Sequence, residues 1–183
     1  MKSLATLMLS FILVSNAPLH AQDRQDNGRF SIEVEPVAYI LGGAGATAGW
    51  RIGSWTYSLE AFGGLSVPES LHGNNGFGTS LRGIEFQAER FIQGTGGFFV
   101  GPEFGLSRLE VTWEATGQSK THTHYSIGVR GGYHWETGLG NLYLSPVAGF
   151  SYALNAEDIR IQNRTFESAS GTPFATVGIG WSF

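Results

Sequence analysis

The chain has 183 residues, of which 42% are apolar and only 14% charged, against about a quarter charged in an ordinary soluble domain. A mean hydropathy of −0.04 excludes a bundle of membrane helices, each of which needs about 20 consecutive apolar residues, and an aromatic content of 13% excludes a disordered chain. With no cysteine and a net charge of −4, disulfide scaffolds, thiolate metal sites and a basic nucleic-acid footprint are excluded as well.

Lys2, an apolar run over residues 4–14 and a small-residue end at Ala21 have the form of a secretory signal peptide. The run is too short to cross a bilayer as a helix. Cleavage after Ala21 is expected, because cleavage after Ala17 would leave Pro18 beside the cut. The polar residues 22–29 read as a flexible tail, and residues 30–183 as the folded domain.

That domain has no helical period. Apolar and polar residues alternate instead, in segments separated by turn residues, which predicts strands. The first runs over 30–41, with Phe30, Ile32, Val34, Ala38 and Ile40 opposed to Ser31, Glu33, Glu35 and Tyr39. The Gly42–Gly45 stretch turns the chain into a second strand over 46–52. Gly53-Ser54 is a two-residue turn of hairpin type. The third strand, 55–65, sets Trp55, Tyr57, Leu59 and Ala61 against Thr56, Ser58 and Glu60, with Phe62 the bulky exception on the polar face. After a polar loop at 66–79 comes a fourth strand over 81–91, then a short turn at 93–96 and a fifth strand over 97–113. A second polar loop, 114–122, precedes the sixth strand at 124–136; a turn at 137–141 precedes the seventh at 142–154. The longest loop, 155–172, leads to the last strand, 173–183. Pro36, Pro102 and Pro146 fall inside these strands. Each lacks a ladder N–H, which predicts a bulge or a strand end at each.

Eight strands of this length, joined after a first connection too short for the pattern by short turns and long loops in alternation, predict an all-β fold: an eight-stranded antiparallel up-and-down transmembrane β-barrel. Size decides which face is inside. The interior of so small a barrel is narrow. The polar face is crowded with glycine, including Gly49, Gly101, Gly105, Gly128, Gly132 and Gly178, while the other face carries most of the Trp, Phe and Tyr. Rings fit outside against lipid and glycines fit inside. Trp50, Trp55, Tyr57, Phe98, Trp135, Trp181 and Phe183 also gather near the short-turn rim, as in the aromatic girdle of a membrane interface.

The ending Gly178-Ile179-Gly180-Trp181-Ser182-Phe183 resembles the terminal strand of Gram-negative outer-membrane proteins. Phe99-Val100-Gly101-Pro102-Glu103-Phe104-Gly105 and Val129-Arg130-Gly131-Gly132-Tyr133 are similar to strands of the OmpA/OmpX-type small barrel family. The resemblance implies an outer-membrane location, a monomer, outer-membrane lipid and lipopolysaccharide as surroundings, and no enzymatic activity. It also implies that Trp181 and Phe183 form the signal read by the barrel assembly machinery. His124-Tyr125-Ser126 matches a triplet of the PagL-type lipid A deacylases, whose Ser-His-Glu triad implies an acyl-ester hydrolase. That family has Asn after the triplet where Ile127 stands here, and its acid lies on the last strand, which here has no carboxylate.

On the polar face, Glu33, Glu35, Glu60, Glu85 and Glu103 gather at mid-height around Arg130, with Arg51, Glu89 and His134 nearer the short-turn rim. Buried charges must be paired, so the bland reading is a structural plug with Arg130 serving two carboxylates. The excess of Glu keeps open a narrow cation-preferring pore. His122 and His124 lack an evident third ligand for a metal, and no cofactor motif is present. The expected role is structural, or surface contact through the long loops (adhesion, envelope integrity).

Overall fold

The computed structural model describes residues 28–94 and 96–183. The expected signal peptide, and most of the expected tail, lie outside them. β1 (Arg29–Val34) is followed by a short helix α1 (Pro36–Ile40), β2 (Ala44–Ile52), β3 (Trp55–Leu65) and a single helical turn α2 (Glu69–His72). Then come β4 (Phe77–Gln93), β5 (Gly96–Trp113), β6 (Gln118–Glu136) and β7 (Leu142–Ala153). A two-stranded hairpin, β8 (Ile159–Ile161) and β9 (Arg164–Phe166), precedes β10 (Gly171–Ser182).

Eight strands close into one antiparallel barrel in the order β1-β10-β7-β6-β5-β4-β3-β2, and β8-β9 stands apart as its own sheet. The seam is formed by the chain ends, from Ser31 opposite Ser182 to Val34 opposite Ile179. Beyond it, the Phe183 N–H donates to the Phe30 carbonyl at 2.8 Å. The β2–β3 turn uses Gly53 at φ +59°, a left-handed conformation that glycine adopts without strain.

The period-2 pattern determines the faces. Burial alternates along β2 and β3, with Thr47, Arg51, Thr56, Ser58 and Glu60 inside and Trp50, Ile52, Tyr57 and Leu59 outside. Ile127, Val129 and Val177 are exposed on the exterior, whereas Glu60 and Arg130 are buried in the interior. The barrel is thus inverted relative to a soluble one, with apolar side chains outward.

Three expected boundaries are corrected. The first strand stops at Val34, and residues 36–40 coil into α1 with Pro36 at its start. Proline has no N–H to give a ladder, but its fixed φ suits the first helical position. Pro102 and Pro146 sit in intact strands without a bulge. Instead the β4–β5 ladder has no pairs between Gln87↔Glu103 and Arg90↔Val100, and the β6–β7 ladder none between Gly132↔Val147 and Trp135↔Leu144, with the register unchanged across each gap. Each proline keeps its pairing on the other side, opposite Val129 and Val177. The register shifts lie elsewhere: in β3 between Phe62 and Leu65, where Gly64 takes φ +71°, and in the β4–β5 ladder between Phe91 and Gln93. Finally, the expected loop at 114–122 is mostly strand: β5 and β6 continue in register to Trp113 opposite Gln118, and β4 begins at Phe77 rather than at 81.

Candidate functional site

Two places gather chemistry, the lumen and the rim of long connections. In the lumen, β6 supplies Arg130, which is 5% exposed. Its Nε stands 3.1 Å from a Glu89 oxygen and its Nη1 3.7 Å from Glu85. Both carboxylates come from β4, two register steps apart on one face. Glu60 of β3 lies directly opposite Glu85, an arrangement of like charges that destabilises a sheet. Gln87 relieves it: its Nε2 donates to Glu60 Oε2 at 2.8 Å and to Glu85 Oε1 at 3.1 Å. Glu103, 2% exposed, projects from β5 opposite Gln87. Glu35, between β1 and α1, accepts a bond from Thr176 Oγ1 at 3.3 Å. Glu33 points inward from β1 one strand away from Tyr143, with Gly180 between them in register.

Glycines give these groups their room. A side chain at Gly128 would occupy the place of the Glu103 carboxylate, one at Gly178 that of Glu33, and one at Gly180 that of the Tyr143 ring. A large interior residue is therefore set across from a bare neighbour, as a narrow barrel requires.

Nearer the short-turn rim the lumen is filled by rings. Phe91, Phe99 and Val147 form a buried cluster with Phe174 packed on it. The Arg51 guanidinium lies 4.3 Å from the Phe91 ring centroid, and its Nε donates to Thr56 Oγ1 at 3.2 Å. The His134 and Tyr143 rings are 4.1 Å apart. A cavity of about 30 Å³ remains among Arg51, Glu89, Arg130, His134 and Tyr143, room for about two water molecules.

Of the expected lumen residues, Glu60 and Glu85 are drawn together by Gln87, and Glu85 reaches Arg130. Glu33, Glu35 and Glu103 face the same interior without an ion pair to Arg130. The closer partner of Arg130 is Glu89, which sequence parity places on the right face but nearer the rim. Gln87 carries no charge and gives no signal in a search for ion pairs. Its position two residues from both Glu85 and Glu89 is the one clue.

At the other rim, a second small core lies on the inward face of the strand extensions. Ile159, Ile161 and Phe166 of the β8–β9 hairpin pack on Phe77 and Val111, which belong to the extensions of β4 and β5. Asn74 fastens this hairpin to the neighbouring loop: it accepts from the Glu167 N–H at 2.7 Å and donates to the Glu167 carbonyl at 3.1 Å. His122 and His124 stack edge to face at 4.7 Å, and His122 Nε2 lies 3.0 Å from the Asn155 carbonyl. Among the described residues, no three potential ligands converge on a metal position. His124 and Ser126 both face inward, with Tyr125 outside between them. Trp181 and Phe183 are exposed on the exterior at the seam, where the Phe183 ring lies 6.0 Å from that of Phe30.

No family model matches the chain, and no curated protein matches it. Among solved structures, the chain is similar to the crystal structure of the beta domain of the Bordetella autotransporter Brka. The identity is 14%, over 85% of this chain and 78% of that one, with a TM-score of 0.33. A superposition that loose carries no function over to this chain.

Proposed function

We propose that this chain is an exported outer-membrane β-barrel whose lumen is a structural plug and whose long connections form a preordered contact surface. One observation carries the reading: the barrel wall is apolar outside and charged inside. In water this would leave Trp50, Phe98, Phe104, Val129, Phe150 and Trp181 wetted together, an exposed patch far beyond what a soluble monomer tolerates. In a bilayer the same band is covered by lipid. The plug reading is supported by the burial of Arg130, Glu103, Phe91 and Phe99 inside the wall. The contact reading is supported by the hairpin core and the Asn74 clasp, since a surface ordered in advance does not incur the ordering cost on binding. Exposed apolar side chains at that rim, Tyr39, Ile40 and Leu71, offer the partner something to cover.

Fractionation of expressing cells, with electrophoresis of boiled and unboiled samples, tests the placement. The folded protein is expected in the outer-membrane fraction, with a migration that changes on boiling. Recovery in the soluble periplasm would overturn the proposal.

The excess of Glu33, Glu35, Glu60, Glu85, Glu89 and Glu103 over Arg51 and Arg130 in the lumen favours a second reading, a narrow cation path opened when the pairing shifts. Planar-bilayer recordings separate the two. A plug gives no cation-selective steps in the native protein; steps that grow in Arg130→Ala would favour the path.

A further inference from the structure

The exterior wall changes character in one row. On β4, β5 and β6 the outward row of Ile84, Leu106 and Tyr125 is apolar and in register. The next row toward the long connections is Arg82, Arg108 and Thr123, also in register. The row beyond is polar, with Ser80, Glu110 and Thr121. Arg82 and Arg108 therefore stand directly opposite one another on neighbouring strands, exposed, at the upper edge of the apolar band. Like charges so placed repel. Among the described residues neither forms an ion pair, and Glu110, the nearest acid in register, does not reach them. An open groove of about 440 Å³ lies here, walled by Arg82, Arg108, Thr123, Ile84 and Leu106. The β3 bulge borders it, and the bare Gly63 leaves Arg82 uncrowded, since a side chain there would begin 3.7 Å from Arg82 Cβ.

We propose that this groove binds the phosphorylated headgroup of an outer-leaflet lipid, with Arg82 and Arg108 gripping one phosphate and the acyl chains lying over Ile84 and Leu106. The inference rests on the membrane placement above. Charge complementarity selects the ligand. Each guanidinium carries a planar donor fork that suits a phosphate, and an anion between the two arginines removes their repulsion. Position selects a lipid over a soluble phosphate: the arginines sit where the apolar band ends, at headgroup height, with apolar walls on the bilayer side. Thr123 adds a hydroxyl to the same row.

The test is native mass spectrometry of the folded full-length protein in dodecyl maltoside, titrated with bis-phosphorylated lipid A. The comparison proteins are the double variant Arg82→Gln, Arg108→Gln and the variant Arg90→Gln, whose arginine lies near the opposite rim. Lipid A lacking phosphate and free pyrophosphate are run alongside. The native protein and Arg90→Gln are expected to retain bis-phosphorylated lipid A, and the double variant to bind it about thirtyfold more weakly, from about fivefold per arginine near an anionic lipid surface. Dephosphorylated lipid A should bind no better than to the double variant, and pyrophosphate should not displace the lipid. Equal binding by native protein and double variant, equal binding of dephosphorylated lipid, or displacement by pyrophosphate would each overturn the proposal. The boiled and unboiled migration of each variant is read in parallel. A native protein that shows no folded form would strike the barrel placement itself, whereas folded variants with unchanged lipid binding would strike only this site.

Discussion

At the scale of single residues, the interior is governed by volume. Glu85 has Gly105 across from it, Glu103 has Gly128, Tyr143 has Gly180, and Arg130 stands between Gly101 and Gly149, so these bare positions are as specific as the filled ones. Gly132 shows this at a distance from any charge. A Cβ there would lie 2.5 Å from the Pro146 carbonyl oxygen and 2.6 Å from Phe99 Cζ. The first neighbour is backbone and the second a buried ring, so neither yields cheaply. Gly132→Ala is expected to destabilise the folded barrel by about 1–3 kcal/mol, read as a lower urea midpoint for refolded protein in lipid vesicles. Gly96, with nothing within 4 Å of its Cβ position, is the matched control; Gly96→Ala should leave the midpoint unchanged. The electrostatic counterpart is Arg130. Its removal strands Glu85 and Glu89 inside the wall, and breaking a buried pair from one side costs about 3–5 kcal/mol.

At the scale of elements, strands and connections divide the work. The ladders of β4, β5 and β6 continue past the apolar band, and their extension supplies the floor on which β8–β9 sits. Phe166 is the fastening: it is buried, packs edge to face on Phe77 at 5.7 Å and touches the His72 ring at 5.3 Å. Three-residue strands have no independent stability, so the hairpin's order depends on this small core. Phe166→Ala is expected to open the hairpin locally while leaving the barrel closed. Limited proteolysis should then cut between residues 155 and 170, with migration of the unboiled protein unchanged. Resistance equal to that of the native protein would mean that the Asn74 clasp holds the hairpin without the ring.

At the scale of the whole molecule, the direction of the faces is what matters. Val129 is 53% exposed at mid-wall, beside Phe150 and Pro102 in register. On a water-facing surface a change to arginine there would be nearly neutral, within about 0.5 kcal/mol. Facing lipid at mid-bilayer it costs about 2–4 kcal/mol. Val129→Arg, unfolded by guanidinium in vesicles, is expected to show the larger loss. A midpoint equal to that of the native protein would place this wall in water.

Strand count, antiparallel order and face direction were legible in the chain, because period-2 alternation and the segregation of glycine from aromatics are local consequences of a pleated, closed wall. The membership of Glu60, Glu85 and Arg130 in one interior followed from the same parity. Parity assigns a face but not a height or a partner. The tilt and stagger of neighbouring strands decided that Arg130 meets Glu89 more closely than the other carboxylates, and that Gln87 bridges Glu60 and Glu85. Pro36 marked an interruption without saying whether a bulge or a helix would follow; packing of α1 at the barrel rim settled that. The hairpin at 159–166 and the Arg82–Arg108 row were hidden for a related reason. Each depends on residues far apart in the chain, and only the closed register brings them level.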